Sequence, residues 1–320
     1  HFVQLRNLIH AGSCLLLGFA TQLQAQPVCD LHSAFIQPNA NAPGKQTQVR
    51  KTSDGKALVF ESGLHTNTDG AVRSYKVSDF WGAKDALNNL CNAMSDACVG
   101  LTTEQQLRNR REITQAAEKA GWPADQLKAT RISPAIIAFN TDGKPCTDAN
   151  GFLVSATSLK NNANADICSH DRYINALTVS ALVLPKDTID PADPGKRIPS
   201  GFSKLNARQG DLVAVWKPGQ STVHFAVVGD HGPANKLGEA SIALNGRLLG
   251  KTSEPVNYRE LRGKEPFAGK AWSVNRAVTV VFANTRDSAQ TFTSQDRIDA
   301  AAKPLFEAFG GLERLKACTK

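Results

Sequence analysis

Short runs of β-branched and apolar residues recur along most of the chain, and Gly, Pro, Asn or Asp residues bound each run. This pattern is typical of short strands. It predicts strands at residues 56–61, 74–77, 135–140, 152–156, 176–184, 211–217, 222–228 and 274–283. Strands this short and this numerous favour a compact β-barrel or a β-sandwich.

A helical period is confined to a few segments. In residues 79–97 the apolar side chains fall on one face of a helix: Leu87, Leu90, Cys91 and Met94. A Thr-Thr pair followed by two glutamines can cap a second helix, which runs to Lys119 and ends at Gly121. Residues 294–309 predict a terminal helix with Pro304 inside it. We therefore predict an α+β protein with a compact β-barrel core and flanking helices.

The first part of the chain has the pattern of an export signal. Arg6 precedes the apolar run of residues 14–20, and the small residue Ala25 offers a cleavage point. A short buried helix is the alternative interpretation. Residues 36–50 are polar, carry two prolines and have no apolar period, so residues 26–50 are predicted to be a linker or an extended arm. The main domain is then expected at residues 51–320, and the protein in the periplasm or outside the cell.

The cysteines agree with export. Without Cys14 in the signal, six of the seven cysteines remain, an even number that suits three disulfides in an oxidising compartment. Many pairings are open. Closeness in sequence favours Cys91–Cys98 and Cys146–Cys168, which leaves Cys29 for Cys318. A metal site is the rival interpretation, but the cysteines are scattered and no C-x-x-C spacing occurs.

The charge pattern argues against a nucleic-acid partner. The net charge is +8, but the only tight basic group is Arg108, Arg110 and Arg111, and no aromatic residues are interleaved for base stacking. A solvated helix face explains this group better.

Candidate chemistry is concentrated in residues 223–250, VHFAVVGDHGPANKLGEASIALNGRLLG. Asp230 closes an apolar strand-like run, and Glu239 follows Gly238 at the start of a predicted helix that extends to about residue 249. Two carboxyl groups held near one another by a fixed turn are what glycoside hydrolysis needs. An ordinary turn followed by an ordinary helix start is the alternative interpretation.

The same segment resembles the signature of family 75 glycoside hydrolases, the fungal-type chitosanases. The matching pieces are Gly229-Asp230, Gly232-Pro233 and Gly238-Glu239-Ala240-Ser241-Ile242-Ala243-Leu244. Residues 54–55 with 63–70 resemble an early family segment, and residues 182–185 with 210–215 resemble its strand pair. The resemblance covers roughly residues 50–285, with His231 standing where the family has threonine. The Asp-turn-Gly pattern is also similar to that of polysaccharide-cutting double-psi barrels, so the core can be double-psi-like.

The resemblance implies roles for particular residues. Glu239 is expected to be the general acid and Asp230 the general base of an inverting reaction, with carboxyl groups roughly 6.5 to 9.5 Å apart. The positive end of a helix at Glu239 would favour its ionised form, which is a difficulty for an acid. A protonated His231 would favour the carboxylate form of Asp230. Substrate contacts are expected from Asp69, His65, Asn67, Lys76 and His231, and neither a metal nor another cofactor is expected.

The expected protein is a secreted, monomeric endo-chitosanase that cuts β-1,4 bonds between glucosamine units. Its partner is a polysaccharide, chitosan or a related aminoglycan, and neither a nucleic acid nor, after signal removal, a membrane is expected to bind. Because chitosan is a polycation, a chain with a net charge of +8 needs a locally acidic cleft to bind it. Hydrolysis of another glycan such as peptidoglycan, and a non-catalytic carbohydrate-binding envelope protein, are the alternatives.

Overall fold

The computed structural model describes residues 28–319, so the expected signal peptide at residues 1–25 lies outside the described residues. The described chain forms twelve strands: β1 His32–Pro38, β2 Gln46–Lys51, β3 Ala57–Asn67, β4 Tyr75–Lys76, β5 Phe152–Leu153, β6 Ala181–Pro185, β7 Thr188–Asp190, β8 Asp193–Ile198, β9 Leu212–Trp216, β10 Val223–Gly232, β11 Glu239–Ser241 and β12 Val274–Phe282. Its helices are α1 Glu104–Lys119, α2 Ala124–Thr130, α3 Gly201–Lys204, α4 Ile242–Leu248, α5 Tyr258–Leu261, α6 Gln295–Phe309 and α7 Gly311–Ala317.

Six strands close into a barrel in the order β3-β11-β6-β10-β9-β12, and β12 returns to pair with β3. The pairs β10–β6 and β11–β3 are parallel, whereas the other four pairs are antiparallel. The hairpin of β1 and β2 extends the sheet through a β2–β3 pairing. The predicted α+β class, with a compact barrel core and flanking helices, is confirmed. The double-psi-like form stays a prediction.

Alternation along the barrel strands explains how the core is built. Side chains of one parity, such as Phe60, Leu182 and Val228, pack into one buried cluster together with α3 and α4. Side chains of the other parity, such as Val59 and Val227, pack into a second cluster that α6 and α7 cover. Each strand therefore contributes to two cores, as the two-residue period of a strand requires.

Two predicted helices are present with the predicted ends. The Thr103 hydroxyl accepts from the backbone N–H of Gln106, and the Gln106 side chain accepts from the backbone N–H of Thr103, which completes a capping box at α1. Helix α6 contains Pro304 and ends at Gly310, which has a left-handed φ of 112°.

Residues 79–97 do not form the predicted helix. A short 3-10 turn at Val77–Asp79 ends where this range begins, and a second lies at Leu90–Ala93, with loop between them. The Asp79 carboxylate accepts hydrogen bonds from the backbone N–H groups of residues 83–86, so the side chain satisfies donors that a helix would otherwise use. Leu87, Leu90 and Met94 are buried all the same, since a loop can deliver them to the core.

The described part of residues 26–50 is not a linker. Its two strands, β1 and β2, belong to the main sheet, and alternate residues of β2 such as Thr47 and Val49 are buried. The two-residue alternation of β2 was missed because it covers only a few positions and most of its residues are polar. The strand expected at residues 135–140 is also reduced to isolated bridges at Ile137 and Phe139.

Three disulfides link the expected cysteine pairs: Cys29–Cys318, Cys91–Cys98 and Cys146–Cys168. The first ties the two ends of the described chain together across 289 residues. Disulfides are typical of oxidising compartments. None of the helices among residues 28–319 combines the length and the apolar character needed to cross a bilayer.

Candidate active site

Strand register brings Asp230 and Glu239 together on one face of the barrel. Strand β6 lies between β10 and β11, and its residue Val183 pairs with Asp230 on one side and with Glu239 on the other. Residues paired in adjacent strands project from the same face. Because two steps between strands separate them, their Cα atoms lie roughly 9 to 10 Å apart. Both residues are only partly buried, so the face is accessible.

A bulge at Gly229 decides which face Asp230 occupies. Ala226 and Val228 point into the buried cluster beneath the site, and strict alternation would send Asp230 there as well. The β10–β6 register shifts between Val228 and Asp230 and so turns Asp230 to the opposite face. An added Cβ at Gly229 would lie 2.8 Å from the Cβ of Ala181, so the close packing here needs glycine.

Asp230 is held through one oxygen. Its Oδ1 accepts from the Ser158 hydroxyl at 2.6 Å, the Ser158 backbone N–H at 3.0 Å and the His231 backbone N–H at 2.9 Å. Burial raises the pKa of Asp230 above its ordinary value, and these three donors oppose the rise. Within residues 28–319, Oδ2 has no hydrogen-bond partner, so this oxygen can accept a proton. Nothing in the spacing of the sequence pointed to Ser158.

The sequence predicted Glu239 at the start of a helix, but it lies on strand β11. Helix α4 begins at Ile242, with Ser241 as its N-cap, and the field of a helix end falls off within its first turn. The expected difficulty for an acid at this position is therefore removed. Gly238, with a left-handed φ of 89°, makes the preceding turn in direct contact with the backbone of Gly63.

The surroundings of Glu239 favour its protonated form. Burial raises its pKa most, the negative charge of Asp230 raises it further, and Lys236 opposes both effects. No hydrogen bond to its carboxyl is formed by the described residues. Its Oε2 lies close to the backbone of Gly232, on the strand that carries Asp230, where an added Cβ would be 3.4 Å away. The carboxyl group thus extends across Val183 towards Asp230.

Asp69 brings a third carboxyl group to this site. Its Oδ1 accepts from the Tyr75 hydroxyl at 2.9 Å and the Ser155 hydroxyl at 3.1 Å. Burial first, and then the negative charges of Asp230 and Glu239, raise its pKa to about 7. The sequence had singled out Asp69 only as a substrate-binding candidate, and nothing in the local pattern indicated that Tyr75 and Ser155 hold it.

Two further predicted residues lie beside these carboxyl groups. The Oδ1 atom of Asn67 accepts a hydrogen bond from the backbone N–H of Asp69 at 2.7 Å. Asn67 also lines a cavity of about 20 Å³ together with Asp69, Asp230 and Ser241. That volume suits about one water molecule. His65 pairs with Glu239 across β3 and β11 and is exposed. Burial of part of its ring, with the charges of Arg262 and Lys236, lowers the pKa of His65.

The structure gives less support to Lys76 and His231 as substrate contacts. The Lys76 ammonium pairs with Asp85 at 3.0 Å and lies 4.4 Å from the centre of the Phe152 ring, so its contacts are already made. His231 pairs with Leu184, whose side chain packs in the opposite cluster, so its ring projects away from the Asp230 face. Burial lowers the pKa of His231 from its ordinary value, and the charges of Asp230 and Asp187 oppose this effect.

The β1–β2 hairpin fixes the turn that joins the two acids. Gln37 donates to the carbonyl of Ala234 at 2.9 Å, and the backbone N–H of Ala40 donates to the carbonyl of Asn235 at 2.8 Å. The side chain of Asn39, itself buried, accepts from the backbone N–H of Leu237 at 3.2 Å. A segment that the sequence predicted as a linker therefore positions Glu239.

The described residues contain no group of three or more His, Cys, Asp or Glu side chains arranged to hold a metal ion. A scan against models of known protein families finds none that matches the chain, and a search of curated proteins finds no match either. The resemblance to family 75 glycoside hydrolases therefore rests on the quoted residues, and it stays a prediction.

Proposed function

We propose that this protein is a secreted glycoside hydrolase that cuts β-1,4 bonds within an aminoglycan, chitosan first, with inversion at the anomeric carbon. The observation that carries the proposal is the arrangement of Asp230 and Glu239 on either side of Val183. Two carboxyl groups fixed on separate strands and projecting from the same face of the sheet suit acid and base catalysis on the same bond. Side chains that project from the same face on either side of Val183 can place their carboxyl groups at the roughly 6.5 to 9.5 Å that an inverting reaction needs.

The hydrogen bonds favour one assignment of the acid and base roles. Asp230 receives three donors on one oxygen, which stabilises its carboxylate and leaves Oδ2 to take a proton from water. Glu239 lies in an environment that raises its pKa. A general acid must keep its proton near the working pH, whereas a general base must lose it. Glu239 is therefore the acid that protonates the leaving oxygen, and Asp230 is the base.

Asp69 completes the proposed site. Its carboxyl group lines the same small cavity as Asp230, so it can orient the attacking water. Asp230, ionised as the base, and Asp69, ionised above its pKa of about 7, give this face the local negative charge that a chain of net charge +8 needs for a polycation. The free amine of a glucosamine unit would bind beside these carboxyl groups.

Reducing-end release from chitosan tests the proposal. Wild type is expected to release ends, whereas Asp230→Asn and Glu239→Gln should each lose at least about a hundredfold in rate, since positioned proton transfer contributes about that much or more. Asp193→Asn, an exposed carboxylate on strand β8, is the matched control and should keep full activity. Proton NMR should detect the α-anomer first, because the reaction inverts a β-linkage.

Two outcomes would favour the alternatives. Ends released from purified cell wall, but not from chitosan, would point to a peptidoglycan hydrolase. Glycan binding without turnover by any variant would point to a carbohydrate-binding protein. Equal rates for wild type, Asp230→Asn and Glu239→Gln would refute the catalytic roles.

A further inference from the structure

A second concave surface opens beside the three carboxyl groups. It is a groove of about 720 Å³ between the β1–β2 hairpin and the surface of β3 and β12. This volume lies within the range of sites that bind small molecules. His65 lines one end of the groove and pairs with Glu239, so the groove begins where the proposed site ends. We call it the hairpin groove.

The walls of the hairpin groove are polar and can form hydrogen bonds with sugars. Asn275 lines it and is exposed, with an amide group that can donate and accept. Gln48 also lines it, but its amide nitrogen donates to Ser33, Phe35 and Val49, so only its oxygen can serve a ligand.

The charge of the hairpin groove is opposite to that of the acidic site. Arg50 and Arg276 line it, and the only acidic side chain among its lining residues, Glu61, is taken up by Arg276 in a two-point ion pair at 2.5 and 3.0 Å. At the His65 end, Arg262 and Lys236 add further positive charge. A free ammonium group would be repelled along this path.

Both arginines of the groove already hold one partner. The guanidinium of Arg276 binds both oxygens of Glu61, and that of Arg50 donates to the carbonyl of Cys318 at 2.7 Å. A guanidinium carries five N–H donors, so each arginine keeps donors that these contacts do not use. The groove therefore repels cations and can donate hydrogen bonds to a carbonyl oxygen, which favours sugar units with a neutral N-acetyl group over units with a free amine.

We propose that the hairpin groove binds the glycan beyond Glu239 and selects N-acetylated units over units with a free amine. The inference rests on the proposed function, because it assigns the groove to the same glycan. The substrate class is then partly acetylated chitosan, with a free amine beside Asp69, Asp230 and Glu239 and N-acetylglucosamine units in the groove.

Binding of short oligosaccharides to an inactive background tests this selection. In full-length Asp230→Asn, calorimetry would compare oligomers of N-acetylglucosamine, of glucosamine and of a uronic acid at pH 5.5, where the glucosamine amines are charged. The N-acetylated oligomer is expected to bind most tightly. Tightest binding of glucosamine or of the uronic acid would overturn the proposal.

Arg276→Gln and Arg108→Gln, each added to Asp230→Asn, provide a matched pair. Both remove one arginine from an exposed ion pair, but Arg108 pairs with Glu104 on α1, outside the groove lining. Arg276→Gln leaves Glu61 unneutralised, so the preference for the N-acetylated oligomer should fall about threefold to tenfold. Arg108→Gln should leave it unchanged. An equal change in both variants, or none in either, would overturn the assignment.

The two proposals fail in different ways. If wild type cuts chitosan but Arg276→Gln leaves the preference unchanged, the groove assignment is wrong and the hydrolase stands. If no glycan is cut but the binding preference follows Arg276, the groove assignment stands and hydrolysis is wrong. Thermal melting of each variant checks that the fold is intact.

Discussion

Replacement of Asp69 by asparagine should stabilise the protein, and the gain should depend on pH. A carboxyl group whose pKa is raised in the folded state binds its proton more tightly there than in the unfolded chain. The folded state therefore loses stability as the pH rises from the unfolded pKa to the folded one. Asparagine has no proton to lose, and its Oδ1 can still accept from Tyr75 and Ser155.

The size of the effect follows from the two pKa values of Asp69. The difference between 3.8 in the unfolded chain and about 7 in the folded protein corresponds to about 4 kcal/mol. Above pH 7 the ionised Asp69 lowers the free energy of unfolding of wild type by this whole amount. Asp69→Asn should therefore have a free energy of unfolding up to about 4 kcal/mol higher than wild type at pH 8. At pH 5 most of the penalty has not yet developed, and the gain should be below about 2 kcal/mol.

Urea unfolding at pH 5 and pH 8, followed by circular dichroism, measures both values. Asp211→Asn is the contrasting control, because Asp211 is fully buried but receives the guanidinium and backbone N–H of Arg286 together with other backbone donors. That variant should be destabilised at both pH values. A gain for Asp69→Asn of the same size at pH 5 and pH 8, or a loss at pH 8, would refute the raised pKa of Asp69.

Two other substitutions test how the site is built. Gly229→Ala places a methyl group 2.8 Å from the Cβ of Ala181, so it should destabilise the protein by about 1 to 3 kcal/mol in urea unfolding and reduce reducing-end release, whereas Gly195→Ala on the exposed hairpin should do neither. Cys318→Ser opens the long loop closed with Cys29 and should cost about 2 to 5 kcal/mol. An unchanged melting temperature for Cys318→Ser would contradict the role of this disulfide.

The parts of the fold that the sequence predicted are those set by local signals. The capping box at Thr103 and the glycine after α6 determine helix ends without help from distant residues. Residues 79–97 were mispredicted because the deciding interaction is a side chain, Asp79, that binds backbone groups several residues away. The β1–β2 hairpin was missed because it is stabilised by the pairing of β2 with β3, and this pairing leaves no hydrophobic pattern in the hairpin's own sequence.

The candidate site shows the same limit more sharply. Alternation read from the sequence would bury Asp230 beside Ala226 and Val228, and only the register shift at Gly229 turns it towards Glu239. That shift is a property of the β10–β6 pairing, so the pattern of β10 alone could not predict it. The position of Glu239 depends on the loop before it, which the β1–β2 hairpin holds through hydrogen bonds. The identity of the two acids could therefore be proposed from sequence, but their common face depends on the pairing of β6 with both β10 and β11 and on the contacts of the β1–β2 hairpin.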